Sequence, residues 1–349
     1  MKRLSSLDIL RGLVLFLLVF LQPVLISFGQ VSGCGWILYN FDHEVWEGFR
    51  LWDLVMPLFM FMAGVSLPFS LAKYTKAGSR KQVYLRIGKR FVLLFVLGMV
   101  VQGNLLGLDP GNLKLYNNTL QAIAVGYVIA ALLVMHCPEK YRLLAAAALL
   151  LIYWLPMRFC GDYTMTGSFA AKVDGLVLGR FRGDPSYTWI WSSLNFGVTV
   201  ILGSFAGTMM KNDRNSVKVV YKLLITGIAC IVTGLLWGLE MPIIKRLWTS
   251  SMTLFSGGIC IVLMAVFHWW IDIRGHSRGF EWLNIYGMNS IAAYVIGESI
   301  SFMSIGNSLL YGFEQYLGGY HEVLLRLANY SVVFLILSLM YRNRIFIKV

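Results

Sequence analysis

Apolar runs long enough to cross a lipid bilayer constrain this chain more than any other feature. Spanning the hydrocarbon takes about 20 mostly apolar residues. Ten stretches qualify, give or take a few residues at each end: 9–28, 52–72, 87–106, 119–136, 141–157, 189–209, 220–238, 252–270, 283–302 and 323–341. With no water inside the bilayer, backbone groups must be satisfied within the segment, which a helix achieves. The expected fold is therefore all-α, a polytopic membrane helical bundle of about ten transmembrane helices. Composition agrees. Of 349 residues, 58% are hydrophobic and 13% charged, against roughly 45–50% and 25% in soluble domains. Only Cys137, Pro138, Glu139 and Lys140 part the fourth and fifth runs, so these read as a tight helical hairpin. No linker or low-complexity stretch divides the chain, and residues 1–349 read as a single transmembrane domain.

The first run is longer than the apolar core of a secretory signal, about 7–15 residues. It ends in Ser27, Phe28, Gly29 and Gln30 and is expected to be a retained membrane helix. With a cytosolic N-terminus, most of the 30 Lys and Arg fall on the inner side, seven of them (Lys73, Lys76, Arg80, Lys81, Arg86, Lys89, Arg90) around one loop. By the positive-inside rule both termini are then cytosolic, and residues 40–53 lie on the far side. The net charge of +13 reports this anchoring. No basic–aromatic groove pattern is present, so nucleic acid is not an expected partner. Five cysteines show no CxxC pair and no Cys/His ligand spacing, so no metal is expected. Cys34 and Cys160 fall on the same outer side, which leaves a disulfide or free thiols open.

Ionisable groups at a membrane helix are costly and usually face a cavity or a partner. The stretch "NFDHEVWEGFRLWDLVMPLFMFMAGVSLPFS", residues 40–70, gathers Asp42, His43, Glu44, Glu47, Arg50 and Asp53 at the mouth of the second span. An imidazole with an ordinary pKa near 6.5 exchanges a proton around neutrality and can also attack a thioester. Asp53 opens the second helix, where the dipole alone favours a carboxylate. Pro57 suggests a kink, and Gly64 suggests close packing or a cavity wall. Trp36, Trp46, Trp52, Trp189, Trp191 and Trp248 fall near span ends and suit an aromatic belt. "LYNNTLQAIAVGY" places Asn117, Asn118 and Gln121 at the start of the fourth span. "MPIIKRLWTSS" places Lys245, Arg246 and Trp248 before the eighth, either as a ligand mouth or as snorkelling cations. "YGMNSIAAYVIGES" carries Asn289, Ser290 and Glu298. Nine residues apart, Asn289 and Glu298 project from opposite faces of an unbroken helix, and Gly287 and Gly297 allow a break.

In this order the features resemble the transmembrane acyltransferases related to heparan-α-glucosaminide N-acetyltransferase. "RLSSLDILRG" (3–12), "HEVWEGFRLWDLVMPLFMFMAGVSLPFS" (43–70), "TLQAIAVGY", "DPSYTWIWSSLNFGVTVILGSFAG", "MPIIKRLWTSSMTLFSGG" and "YGMNSIAAYVIGE" carry the resemblance across nearly the whole chain. Gln22 stands where the family commonly has asparagine, and Ala122 where it often has arginine. The resemblance implies an acetyl group moved from cytosolic acetyl-CoA, as cosubstrate, to an amine on the far side of the membrane. It implies His43, Asp53 and Asn289 as catalytic residues. The polar mouths add Trp46, Gln121, Lys245, Trp248, Ser290 and Glu298 as expected substrate contacts. Without the long luminal extension of the animal enzyme, the expectation is a bacterial inner-membrane relative acting on amino sugars or envelope glycans. Self-association into a homodimer is a further expectation. The rival reading from another class is a secondary transporter of a sugar or lipid-linked intermediate, which ten spans and intramembrane polar groups also suit.

Overall fold

The computed structural model describes residues 4–75, 80–213 and 216–347. Lys2, Arg3, Lys76, Arg214 and Lys348, which contribute to the expected orientation, lie outside them. All regular elements among the described residues are helical. They are α1 (Ser5–Phe16), α2 (Gln22–Ser32), α3 (Gly35–Asn40), α4 (Val55–Thr75), α5 (Arg80–Gln102), α6 (Thr119–His136), α7 (Glu139–Phe159), α8 (Phe169–Leu178), α9 (Ser193–Asn212), α10 (Val217–Gly238), α11 (Ser250–Phe267), α12 (Asn284–Met288), α13 (Ser290–Ser299), α14 (Met303–Leu310), α15 (Glu314–Leu317) and α16 (Tyr320–Arg342). A wide π turn over Leu17–Leu21 joins α1 to α2, giving one 28-residue span, Ser5–Ser32.

Among the described residues, eight helices are long and apolar enough to cross a membrane, where ten were expected. The difference has two causes. α5 has the length, but Arg86, Lys89 and Arg90 sit within its first half. The expected ninth span breaks at Asn289, which leaves the helical region at φ −114°, ψ 39°, and α13 then stops at Ser299. Pro57 makes no mid-helix kink. It lies in the first turn of α4, where no intrahelical N–H is required, and the interior proline of that helix is Pro68.

Two compact units organise the chain where the sequence marks no boundary. One comprises residues 1–43, 50–55 and 270–349, the other residues 44–49 and 56–269. In the first, α1 packs on α12, and α16 packs on α2 and α14. In the second, α10 packs on α11, while α6 packs on α5 and α9 more than on its hairpin partner α7. Backbone meets backbone between α4 and α9. A Cβ on Gly64 would stand 2.0 Å from the Val200 carbonyl oxygen, and one on Gly203 2.0 Å from that of Phe61. Small residues permit this approach, which replaces the absent hydrophobic drive between helices in lipid.

Candidate functional site: an imidazole anchored on a buried carboxylate

In the first unit, residues 41–43 follow α3, and residues 50–54, which include a 3₁₀ turn at Leu51–Leu54, precede α4. Asp53 is the third residue of that turn and is fully buried. Its Oδ2 accepts from the Arg50 backbone N–H at 2.9 Å, which satisfies one of the donors that a helix start leaves unpaired. Its Oδ1 lies 2.9 Å from His43 Nδ1. One oxygen of Asp53 thus meets the helix start and the other meets the imidazole. The His43 side chain keeps 36% of its surface exposed while its anchor has none.

The surroundings hold this pair in place. Gln22 donates from Nε2 to the Phe41 carbonyl at 3.1 Å, tying the loop to the first span two residues before His43. The Phe41 ring lies 5.6 Å from that of Trp52. The Arg50 guanidinium covers the Tyr39 ring at 4.3 Å. Because a buried carboxylate accepts a proton-bearing nitrogen best, the favoured tautomer has Nδ1–H donating to Asp53 and the basic lone pair on Nε2.

Asn289 does not join this pair. Its amide donates to the Ile345 carbonyl at 3.1 Å, and its oxygen accepts from the Ile347 N–H at 3.1 Å. Gly287, beside it, packs on the Asp8 carbonyl, whereas the His43 loop is tied to Gln22. Fourteen residues of helix separate those levels, about 20 Å at 1.5 Å per residue. The side chain of Asn289, given as catalytic by the resemblance, holds the C-terminal tail here. Ser290, an expected substrate contact, follows it and opens α13 at that end. Glu298 lies at the other end of α13, where its neighbour Gly297 packs on Val19, one turn below Gln22.

The remaining expected contacts belong to the second unit. Gln121 is fully buried and fully committed. Its Oε1 accepts from the N–H groups of Asn117 and Asn118 at 2.9 and 3.1 Å, and its Nε2 donates to Leu115 at 2.6 Å and Phe95 at 3.4 Å. With both lone pairs and both protons spent on backbone, Gln121, an expected substrate contact, scaffolds the turn before α6. The Trp46 indole donates to the Tyr163 carbonyl at 2.8 Å, and its ring packs on the core around Tyr153, Met157 and Leu247. Trp248 is buried at φ +53°, a conformation rare for a bulky residue. Asn195 donates to its carbonyl at 2.8 Å, and its indole reaches Thr199 Oγ1 at 3.3 Å. Lys245 is buried in the same turn, and Arg246 donates to Ser186. Of the six tryptophans assigned to an interface belt, Trp52, Trp189 and Trp248 are instead core residues, while Trp36 is exposed.

One role and one residue escaped the sequence reading. Arg50 contributes its backbone, and its position three residues before Asp53 carried the capping-box spacing. Asp174 is buried and accepts from Trp189 and Ile190 N–H groups at 2.8 and 2.9 Å, a contact across fifteen residues that no local pattern encodes. Burial pushes its carboxyl above the ordinary range, against the pull of those two N–H groups and Arg182. No group of three metal-ligating side chains occurs among the described residues, and all five cysteines are free thiols.

A polytopic all-helical membrane protein carrying an imidazole set on a buried carboxylate is the class that fold and geometry define. A family description, heparan-alpha-glucosaminide N-acetyltransferase, catalytic, matches residues 3–231, and the chain belongs to that family. It is similar to the heparan-alpha-glucosaminide N-acetyltransferases of Mus musculus and Homo sapiens, each 25% identical over 358 aligned positions and 84% of this chain. The match covers 53% of the mouse protein and 52% of the human one, so the chain spans about half the length of these relatives.

Proposed function

We propose that this protein is a membrane-embedded acyltransferase that moves an acetyl group from acetyl-CoA to the amine of an amino sugar or envelope glycan on the far side of a bacterial inner membrane. The observation that carries the reading is the 2.9 Å contact between His43 and the fully buried Asp53. Family membership supplies the reaction class.

The chemistry follows from the anchored ring. In direct transfer the acceptor amine attacks the thioester carbonyl, Nε2 of His43 takes the amine proton, the C–S bond breaks, and the departing thiolate receives that proton. In the two-step route Nε2 itself attacks the carbonyl and the thiolate leaves, giving an acetylated ring that the amine then cleaves. In both, the ring passes through a cationic state, and the Asp53 carboxylate stabilises it without taking the proton. A fixed ring also removes the entropy of orienting a base.

The test uses purified protein with labelled acetyl-CoA and a panel of amino sugars. Acceptor-dependent CoA release, lost in His43→Ala, supports the reading. Sugar binding without any affinity for acetyl-CoA contradicts it and favours transport. Recovery of acetyl-His43 in the absence of acceptor selects the two-step route.

A further inference from the structure

Two contacts within the first unit fix the level at which α13 ends. Gly297 packs on the Val19 side chain, with no room for a Cβ between them. The Phe302 N–H donates to Asn329 Oδ1 at 2.6 Å. Val19 is at the middle of the span Ser5–Ser32, and Asn329 is near the middle of the span Tyr320–Arg342. Both spans are long and apolar enough to cross a membrane. Residues 298–301, held between the two contacts, lie at the mid-level of both.

The helix stops at that level. α13 ends at Ser299, Ile300 is extended at φ −122°, ψ 122°, and helix resumes only at Met303. Irregular backbone at membrane depth is tolerated where it is buried in protein or lines water. Glu298, Ser299, Ile300 and Ser301 are all exposed, so they are not buried in protein. What remains is an aqueous passage that these residues line. Among the described residues Glu298 makes no hydrogen bond or ion pair. Arg326 on α16 is already committed: its Nε donates to Glu322 Oε1 at 2.8 Å, and it also bonds Tyr330. Val19 and Gln22, from the first span, are uncharged. A carboxylate at such a depth is costly without a partner and marks a functional group. The helix end adds to its charge, because the last carbonyls lack intrahelical partners and carry the negative pole of the dipole. Broken membrane helices hold cations at ends of this kind.

We propose that Glu298 and the carbonyl end of α13 form a cation site for the protonated amine of the acceptor. The proposal rests on the acyltransferase reading above. An amine with a pKa like that of an α-amino group, about 8, arrives largely as ammonium at neutral pH. Its nitrogen then has no lone pair and cannot attack a thioester. Glu298 accepts one ammonium proton and leaves a neutral amine. Away from water the neutral acid and amine are favoured over two desolvated charges. The amine attacks the carbonyl, and its second proton passes through His43 Nε2 to the thiolate as the C–S bond breaks. The proton on Glu298 leaves to water. One ammonium and one thioester thus give one amide, one thiol and one proton. The same site selects amines over hydroxyls, since a neutral sugar offers the carboxylate hydrogen bonds without charge.

The experiment uses full-length wild type, Glu298→Gln and Glu298→Asp in nanodiscs, with glucosamine and glucose as probes. Wild type is expected to prefer glucosamine. Glu298→Gln is expected to bind it about tenfold or more weakly with glucose unchanged, and Glu298→Asp to fall between. Acetyl transfer to glucosamine is then followed against pH. The ratio of wild-type to Glu298→Gln kcat/KM is expected to be largest near pH 6 and to shrink above about pH 9, where the amine arrives neutral. The other titratable groups at this level, Glu322, Arg326 and Tyr330 on α16, and His43 beyond Gln22, are common to both proteins, so the ratio isolates Glu298. Equal binding of the two sugars by wild type, binding of neither, or a ratio that does not change with pH overturns the proposal. Sodium-dependent glucose binding that is lost in Glu298→Gln gives the carboxylate to a coupling ion and overturns it as well. A wild type that prefers glucosamine through Glu298 but releases no CoA from acetyl-CoA contradicts the acyltransferase reading and leaves the ammonium site standing. The ligand-free melting temperature is the folding control. Glu298→Gln is expected to melt at or above wild type, because an unpaired charge has been removed from membrane depth. A lower melting point with unchanged glucosamine preference gives Glu298 to packing and overturns the proposal.

Discussion

Asp53 and Gln121 are alike in most respects that sequence and burial report. Each is fully buried, each stands third in the first turn of a helix, and each accepts from a backbone N–H three residues upstream. They differ in where the second half of the side chain goes. Gln121 spends its amide protons on the carbonyls of Leu115 and Phe95, so the whole group is closed on the backbone. Asp53 directs its second oxygen to an imidazole that remains one-third exposed. A buried polar residue is scaffold when its bonds end on backbone. It becomes part of a site when one of them ends on a titratable side chain that other molecules can reach.

This contrast can be broken or sharpened by mutation. The largest effect is expected at His43. His43→Ala should lower acetyl transfer by about a thousandfold or more while the protein still folds, read as initial rates on protein matched for monodispersity. Asp53→Asn should lower kcat about a hundredfold with KM little changed, since an amide oxygen can still cap Arg50 but no longer stabilises a cationic ring. Gln121→Ala should reverse the pattern. Two buried N–H groups lose their acceptor and two carbonyls their donor, costing about 2–4 kcal/mol in thermal or denaturant unfolding, with activity per folded molecule retained. A similar loss of both activity and stability in Asp53→Asn and Gln121→Ala would dissolve the distinction.

Smaller effects test the margins. Asp174 has its folded carboxyl pKa raised above the unfolded value by burial. The neutral form is favoured in the fold, so the associated stability is complete below the unfolded pKa of about 3.9 and is lost as pH rises through the raised value. The melting temperature of wild type relative to Asp174→Asn should therefore fall as pH rises from about 4 towards neutral. A constant difference would show that burial is not what sets this group. Asn289→Ala should change transfer least, because its amide serves the C-terminal tail. A stability loss of about 1 kcal/mol is expected, read by thermal unfolding.

The parts of this fold legible in the sequence were those written in local hydrophobicity. The long spans, the α6–α7 hairpin and the apolar helix after Asp53 all follow from runs of apolar residues, and the family resemblance follows from short motifs in order. The His43–Asp53 pair was legible because a ten-residue loop keeps its members close whatever the bundle does. Asn289 and Gln121 looked like site residues for a sound reason, since polar side chains in lipid need partners. The partners turned out to be backbone, Ile345 and Ile347 for one and Leu115 and Phe95 for the other. Which backbone a helix break or a preceding turn brings within reach is a tertiary fact.

Chemical rescue of the missing ring tests the central claim most directly. Acetyl transfer by His43→Ala would be measured with and without added imidazole, alongside wild type. A ring one-third exposed and set on a buried carboxylate predicts near-complete loss of transfer and partial return with imidazole, abolished again by adding Asp53→Asn. Undiminished transfer by His43→Ala without imidazole would contradict the account.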